Sequence, residues 1–135
     1  LNREFPLPAY RFNSHFTYRK LDVERMRQAA AYLIGEHDFQ SFCAAGAQVK
    51  TTVRTIYGLD VKKQGDLIII RITGNGFLYN MVRIIAGTLM KIGQGDWEPE
   101  RMSEILAGCD RQLAGPTAPA KGLTLMEIHF KGEKG

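Results

Sequence analysis

Leu67-Ile68-Ile69-Ile70-Arg71-Ile72-Thr73-Gly74-Asn75-Gly76 is the stretch that decides how this chain folds. It is apolar on nearly both faces and ends at a Gly-Asn-Gly break, so it reads as a strand. A strand of this kind is central: it is covered on both sides, or it faces a ligand cleft on one. Just upstream, residues 52–62 alternate. Val53, Thr55, Tyr57, Leu59 and Val61 share one face, and Arg54, Ile56, Asp60 and Lys62 the other. Lys63-Gln64-Gly65-Asp66 supplies a turn, so the two strands form a hairpin.

After the break, Phe77 to Ile92 reads as the longest apolar helix, with Phe77, Met81, Ile84, Ile85, Leu89 and Ile92 in one stripe. Ala86 and Gly87 are small and permit close backbone approach, although glycine costs about 1 kcal/mol in helix propensity. Gly93-Gln94-Gly95 ends it. A third helix follows, with Pro99 in its first turn, Glu98 and Glu100 at its positive end, and Met102, Ile105 and Leu106 on its buried face. Gly115 to Pro119 is an irregular loop. Leu123 to Phe130 is a last strand, with Thr124, Met126, Ile128 and Phe130 alternating.

Working back from the hairpin, Asp22 caps a first helix. Val23, Met26, Ala30 and Leu33 form its inner stripe, Glu24, Arg25, Arg27 and Gln28 face away, and Gly35 supplies a stop. His37 to Phe42 is a short loop. Residues 1–20 are aromatic and basic, and Pro6 and Pro8 oppose regular pairing, so they read as an extended lead-in. Residues 21–131 form the domain, and 132–135 a polar tail.

The order helix, strand, strand, helix, helix, strand is α+β. One more strand before residue 21 completes a split βαβ, ferredoxin-like antiparallel sheet, with helices on one face and the other face free for a substrate or partner.

A length of 135 residues suits one domain. Hydrophobic residues make up 44%, charged residues 24%, and mean hydropathy is -0.20, an ordinary globular balance. No apolar run approaches a membrane span, and the opening residues Leu1 to Pro6 do not read as a signal peptide. The first residue is Leu1 rather than methionine, which suggests an excised fragment. Cys43 and Cys109 form no CxxC pair and read as free thiols of a reducing compartment. A net charge of +4 favours an anionic partner such as RNA.

His15, His37 and His129 lack metal-ligand spacing, so no metal is expected. GxSxG, P-loop and Rossmann fingerprints are missing, and the central strand has no stacking aromatic of the RNA-recognition-motif kind. Gly74-Asn75-Gly76 fits either a phosphate-cradling turn or a plain strand-to-helix turn. Spacing alone leads no further than a slightly basic α+β domain.

Four collinear stretches add a family resemblance. Gly76-Phe77-Leu78-Tyr79-Asn80-Met81-Val82-Arg83-Ile84-Ile85-Ala86-Gly87-Thr88-Leu89 resembles the FLxxMVRxIxGxL motif of TruA-type tRNA pseudouridine synthases. Gly35 to Phe42 resembles their GxxDFxxF loop. Val53-Arg54-Thr55-Ile56 resembles their xVRxI strand start, with Thr52 in place of the usual proline. Asp110-Arg111 through Ala118-Pro119-Ala120-Lys121-Gly122-Leu123-Thr124-Leu125 resembles their DRxxAxxTAPAxGLxL ending. Together they cover roughly residues 21–131.

The resemblance implies a pseudouridine synthase half-domain from a cytoplasmic, homodimeric enzyme that needs no cofactor. Such an enzyme isomerises uridines at about positions 38–40 of the tRNA anticodon stem-loop by carboxylate attack on an extruded base. The family nucleophile is the Asp of an RTDxGVHA motif in the N-terminal half. None of Asp22, Asp38, Asp60, Asp66, Asp96 or Asp110 lies in that context, so the chain alone is expected to be inactive. The family's active-site tyrosine belongs to a YxYxI strand expected just before residue 1, which would also be the strand the topology lacks.

By the same resemblance Arg83 supports the active site, pairing with the catalytic carboxylate, against the alternative of a solvated helix residue. Leu123 and Leu125 match GLxL and form either an apolar wall against the base or plain core. Arg54, Lys50, Lys62, Lys63 and Arg71 are candidate phosphate contacts or solvated charges, and Asn80 joins the candidate RNA contacts. Phe39 and Phe42 stack on RNA or anchor their loop. Asp38 caps a turn. The competing reading is a noncatalytic α+β RNA-binding or dimerisation module, or a degenerate synthase that only binds RNA. Expected partners are tRNA, the N-terminal half and a second copy, with no membrane.

Overall fold

A computed structural model describes residues 6–17, 21–44, 49–65, 67–78, 80–119 and 123–131. In chain order the elements are β1 (Pro6–Thr17), α1 (Val23–Ala31), β2 (Gly35–Asp38), β3 (Val53–Gln64), β4 (Leu67–Gly74), α2 (Met81–Gly93), α3 (Arg101–Gly108) and β5 (Leu123–Lys131). Short 3-10 turns lie at Gln40–Phe42 and Arg111–Leu113. Tyr79, Asp66, the Ala120-Lys121-Gly122 part of the last motif, residues 1–5 and 18–20 of the lead-in, and the 132–135 tail lie outside the described residues.

The strands form one antiparallel sheet in the order β2-β3-β4-β1-β5. β4 separates β1 from β3, and β1 separates β4 from β5. These are two interleaved split βαβ units, the ferredoxin-like arrangement. As expected, the hydrophobic strand β4 is central: Ile68, Ile70 and Ile72 are fully buried on the helix side.

The strand that completes this topology is Pro6–Thr17, inside the segment read as a lead-in. It pairs with β5 from Pro6 and with β4 only from Tyr10. Both prolines therefore fall where one side of the strand has no β4 partner. They share parity, so their missing N–H groups fall on one side, and prolines are tolerated at such an edge.

Three further features depart from the sequence reading. Gly35–Asp38, taken as loop, is a short edge strand on β3. The regular alternation in β3 is broken by a bulge between Ile56 and Gly58, which inserts a residue and switches the phase. Ile56 and Val61 both face the core as a result, while Val53 and Tyr57 are exposed. Finally, α1 ends at Ala31, before Gly35, which instead has φ 104° at the start of β2.

The cap of α1 is as expected: Asp22 Oδ1 accepts from the N–H groups of Glu24 and Arg25 at 3.0 and 3.3 Å. Arg25, however, does not face away. Its Nε donates to Ile92 O at 3.0 Å, satisfying a carbonyl at the C-terminal end of α2, and its Nη2 donates to Trp97 O, in the segment between α2 and α3, at 2.6 Å. Arg27 Nε reaches Val61 O at 2.9 Å and ties α1 to β3.

α2 is the core of the molecule. Met81, Ile84, Ile85, Leu89 and Ile92 are fully buried, as are Ala86 and Thr88. Burial nearly all round marks a helix covered on every side. It begins at Met81 rather than Phe77, because Asn80 takes a left-handed conformation (φ 61°) and stops the helix from extending upstream. In α3, Met102 and Ile105 are buried and Leu106 is partly buried against the core.

Candidate active site

Arg83 lies on the first turn of α2. Its Nε donates to Ala118 O at 2.8 Å and its Nη1 to Asn80 Oδ1 at 3.3 Å. The backbone answers in return: Ala118 N donates to Arg83 O at 2.9 Å. Asn80, expected among the RNA contacts, thus uses its carbonyl oxygen to orient Arg83. Arg83 has no carboxylate partner among the described residues. A half-buried guanidinium held by two neutral acceptors keeps its charge uncompensated and available to an incoming anion.

The loop beneath Arg83 is docked on α2 by contacts that sequence reading did not identify. A Cβ at Gly87 would lie 1.7 Å from Pro116 O. Thr88 Oγ1, fully buried, donates to Ile84 O at 2.8 Å and accepts from Gly115 N at 2.9 Å. Arg111 Nη1 donates to Gly115 O at 2.9 Å and its Nη2 to Thr117 Oγ1 at 3.2 Å. The small residues Ala86-Gly87 were the legible signal, and residues 115–118 are what approaches them.

The second motif loop is wired similarly. Asp38 Oδ1 accepts from Gln40 N at 3.1 Å, so it caps the turn as expected. It also accepts from Thr52 Oγ1 at 2.5 Å, a bond that the proline common at this position in the family cannot donate. Ser41 is fully buried; its Oγ donates to Ile105 O at 2.6 Å and accepts from Asp110 N at 2.8 Å. Phe39 and Phe42 are both fully buried, with ring centroids 6.2 Å apart. Phe39 therefore anchors the loop, and its ring has no exposed face to offer a base. His37 makes a local bond to Ile34 O at 2.8 Å.

The basic candidates lie in separate places. Arg54 folds back on its own strand, with Nη1 donating to Thr51 O and Val53 O at 2.8 and 2.7 Å, and it borders Gly76. The neighbouring turn is structural: Asn75 Oδ1 accepts from Thr55 N at 2.9 Å, and Asn75 N donates to Thr55 O. Arg71 stands opposite Asp60 in β3 and Asn13 in β1, and Lys62 stands opposite Ile69. By parity these positions are on the sheet face away from Ile68, Ile70 and Ile72. Lys63 has the other parity and is exposed near the end of β3. Lys50 lines a cavity with Cys43, Thr52, Cys109, Asp110 and Arg111. In β5, Leu125 is the register partner of Phe12 and Leu123 of Ser14.

The Cys109 thiol in that cavity has its pKa raised, chiefly by burial, then by the Asp38 charge and a hydrogen bond to Asp38. Among the described residues no helix is long and apolar enough to cross a membrane.

The sheet order and the helices packed on it define an α+β, ferredoxin-like half-domain. The chain belongs to the tRNA pseudouridine synthase family and corresponds to the C-terminal domain of its TruA-type members; the family model described as tRNA pseudouridine synthase matches residues 29–131. It is 57% identical over 121 residues to the tRNA pseudouridine synthase A of Brevibacillus brevis (strain 47), covering 90% of this chain and 49% of that protein. It is 53% identical over 116 residues to tRNA pseudouridine synthase A of Bacillus subtilis (strain 168), covering 86% and 47%. It is 48% identical over 131 residues to tRNA pseudouridine synthase A of Thermoanaerobacter sp. (strain X514), covering 96% and 53%. The chain spans about half the length of the curated relatives it matches.

Proposed function

We propose that this chain is one side of the catalytic cleft of an enzyme that isomerises uridine to pseudouridine in the tRNA anticodon stem-loop, at about positions 38–40. The nucleophilic aspartate comes from the N-terminal half of the same polypeptide. Arg83 pairs with it, keeps it ionised and holds it in place for attack. Leu123 and Leu125 supply an apolar wall against the base. Lys62 and Arg71 are on the sheet face away from Ile68, Ile70 and Ile72, and with Lys50, Lys63 and Arg54 they contribute phosphate contacts. The whole enzyme works as a cytoplasmic homodimer without a cofactor.

One observation carries this reading. Arg83 is partly buried, oriented by Ala118 O and Asn80 Oδ1, and has no carboxylate partner among the described residues. A structural arginine in that setting is normally paired. The test is Arg83→Ala in the protein carrying both halves, with pseudouridine counted in a tRNA transcript. Loss of turnover by about a hundredfold or more, with folding intact, is expected for removal of a charge partner of the nucleophile. Full activity in that variant refutes the role.

A further inference from the structure

Residues 114–119 belong to no helix or strand, yet they carry the carbonyl that fixes Arg83. What holds them is therefore a functional question. Beside the backbone bond from Ala118 N to Arg83 O, the contacts that do so are the Thr88 hydroxyl on Gly115 N, the close seat of Pro116 O against Gly87, and the Arg111 fork on Gly115 O and Thr117 Oγ1. Only Arg111 grips the segment at two points, on either side of Pro116. A planar guanidinium suits that task, because both bonds are set by one rigid group.

We infer that Arg111 is a positioning residue for Arg83: it holds residues 115–118 against α2, so that the Ala118 carbonyl sets the plane of the Arg83 guanidinium. This rests on the proposed pairing of Arg83 with the nucleophile. Arg111 touches neither substrate nor nucleophile; it acts through Gly115, Thr117 and Ala118. A misplacement of about an ångström at the acting cation is enough to slow chemistry severely. Binding of tRNA elsewhere on the surface is unaffected.

The experiment uses the full-length protein and a tRNA transcript. Arg111→Met keeps the alkyl stem and removes the donors, Arg111→Lys restores one charged donor, and Arg83→Lys loses the Nε bond to Ala118. Single-turnover rates are measured for each and for the Arg83→Lys/Arg111→Met double variant, with tRNA affinity alongside. Arg111→Met should slow the chemical step about tenfold or more, with affinity changed less than about twofold. Arg111→Lys should recover part of the rate. In the Arg83→Lys background, Arg111→Met should add no further loss, because the coupling it supports is already broken.

Multiplying effects in the double variant overturn the inference, as does an unchanged rate in Arg111→Met. Weakened affinity at constant rate overturns it too, and makes Arg111 a phosphate contact. Should Arg111→Met fail to fold, Thr88→Val removes the Gly115 N anchor and enters the same cycle. The underlying reading fails separately: Arg83→Ala at full rate refutes the role of Arg83, whereas an inactive Arg83→Ala beside a fully active Arg111→Met refutes only the role of Arg111.

Discussion

Arg83 and Ala118 are joined twice: the Arg83 side chain donates to the Ala118 carbonyl at 2.8 Å, and the Ala118 N–H donates to the Arg83 carbonyl at 2.9 Å. Thirty-five positions separate them in the chain. This pair connects the end of an irregular loop to the first turn of the central helix, and the state of the loop becomes the state of the arginine.

Gly87→Ala tests the seat of that loop. The added methyl would fall 1.7 Å from Pro116 O, a backbone atom that cannot swing aside as a side chain would. The cost should reach about 3 kcal/mol, well above the roughly 1 kcal/mol gained in helix propensity. Chemical denaturation reads it directly. Gly58→Ala is the control: nothing lies within 4 Å of its added Cβ, and a change within about 0.5 kcal/mol is expected.

Much of this architecture was legible in the sequence. The three helices follow from apolar spacing and the Asp22 cap, and β4 from its unbroken isoleucines. β1 was obscured by Pro6 and Pro8, which lie before its pairing with β4 begins at Tyr10. β2 is too short to show a period, and its identity comes only from pairing with β3. The bulge between Ile56 and Gly58 breaks the alternation that put Ile56 and Val61 on opposite faces. At the site, Arg83 stood out through its motif. Asn80, Thr88 and Arg111 did not reveal their roles, because their partners lie across folded loops, and periodicity carries no information about them.

Ser41→Ala tests the link between the second motif loop and α3. Its buried hydroxyl serves both Ile105 O and Asp110 N. Alanine leaves a buried acceptor and a buried donor unpaired, and the cost should be about 2 kcal/mol, measurable as a lowered denaturation midpoint with unchanged slope.

Lys62→Ala tests the sheet face away from Ile68, Ile70 and Ile72 as an RNA surface. In the full-length protein it should weaken tRNA binding and reduce the slope of log affinity against log salt by about 0.7 to 0.9, leaving the chemical step alone. An unchanged slope assigns Lys62 to solvent.

Cys109 gives a test in pH. Burial and the neighbouring Asp38 carboxylate both disfavour its thiolate, so its pKa lies above the ordinary thiol value. Alkylation at pH 8 should be slower than for an unstructured cysteine peptide and should accelerate as pH rises. Asp38→Asn removes the charge, lowers the thiol pKa and should speed the reaction at pH 8.

The most direct measurement compares pseudouridine formation in a tRNA anticodon stem-loop by the full-length protein and by this 135-residue chain alone. The account predicts turnover by the former and none by the latter, because in the proposed mechanism the nucleophile that Arg83 pairs with belongs to the N-terminal half. Turnover by the isolated chain would contradict it.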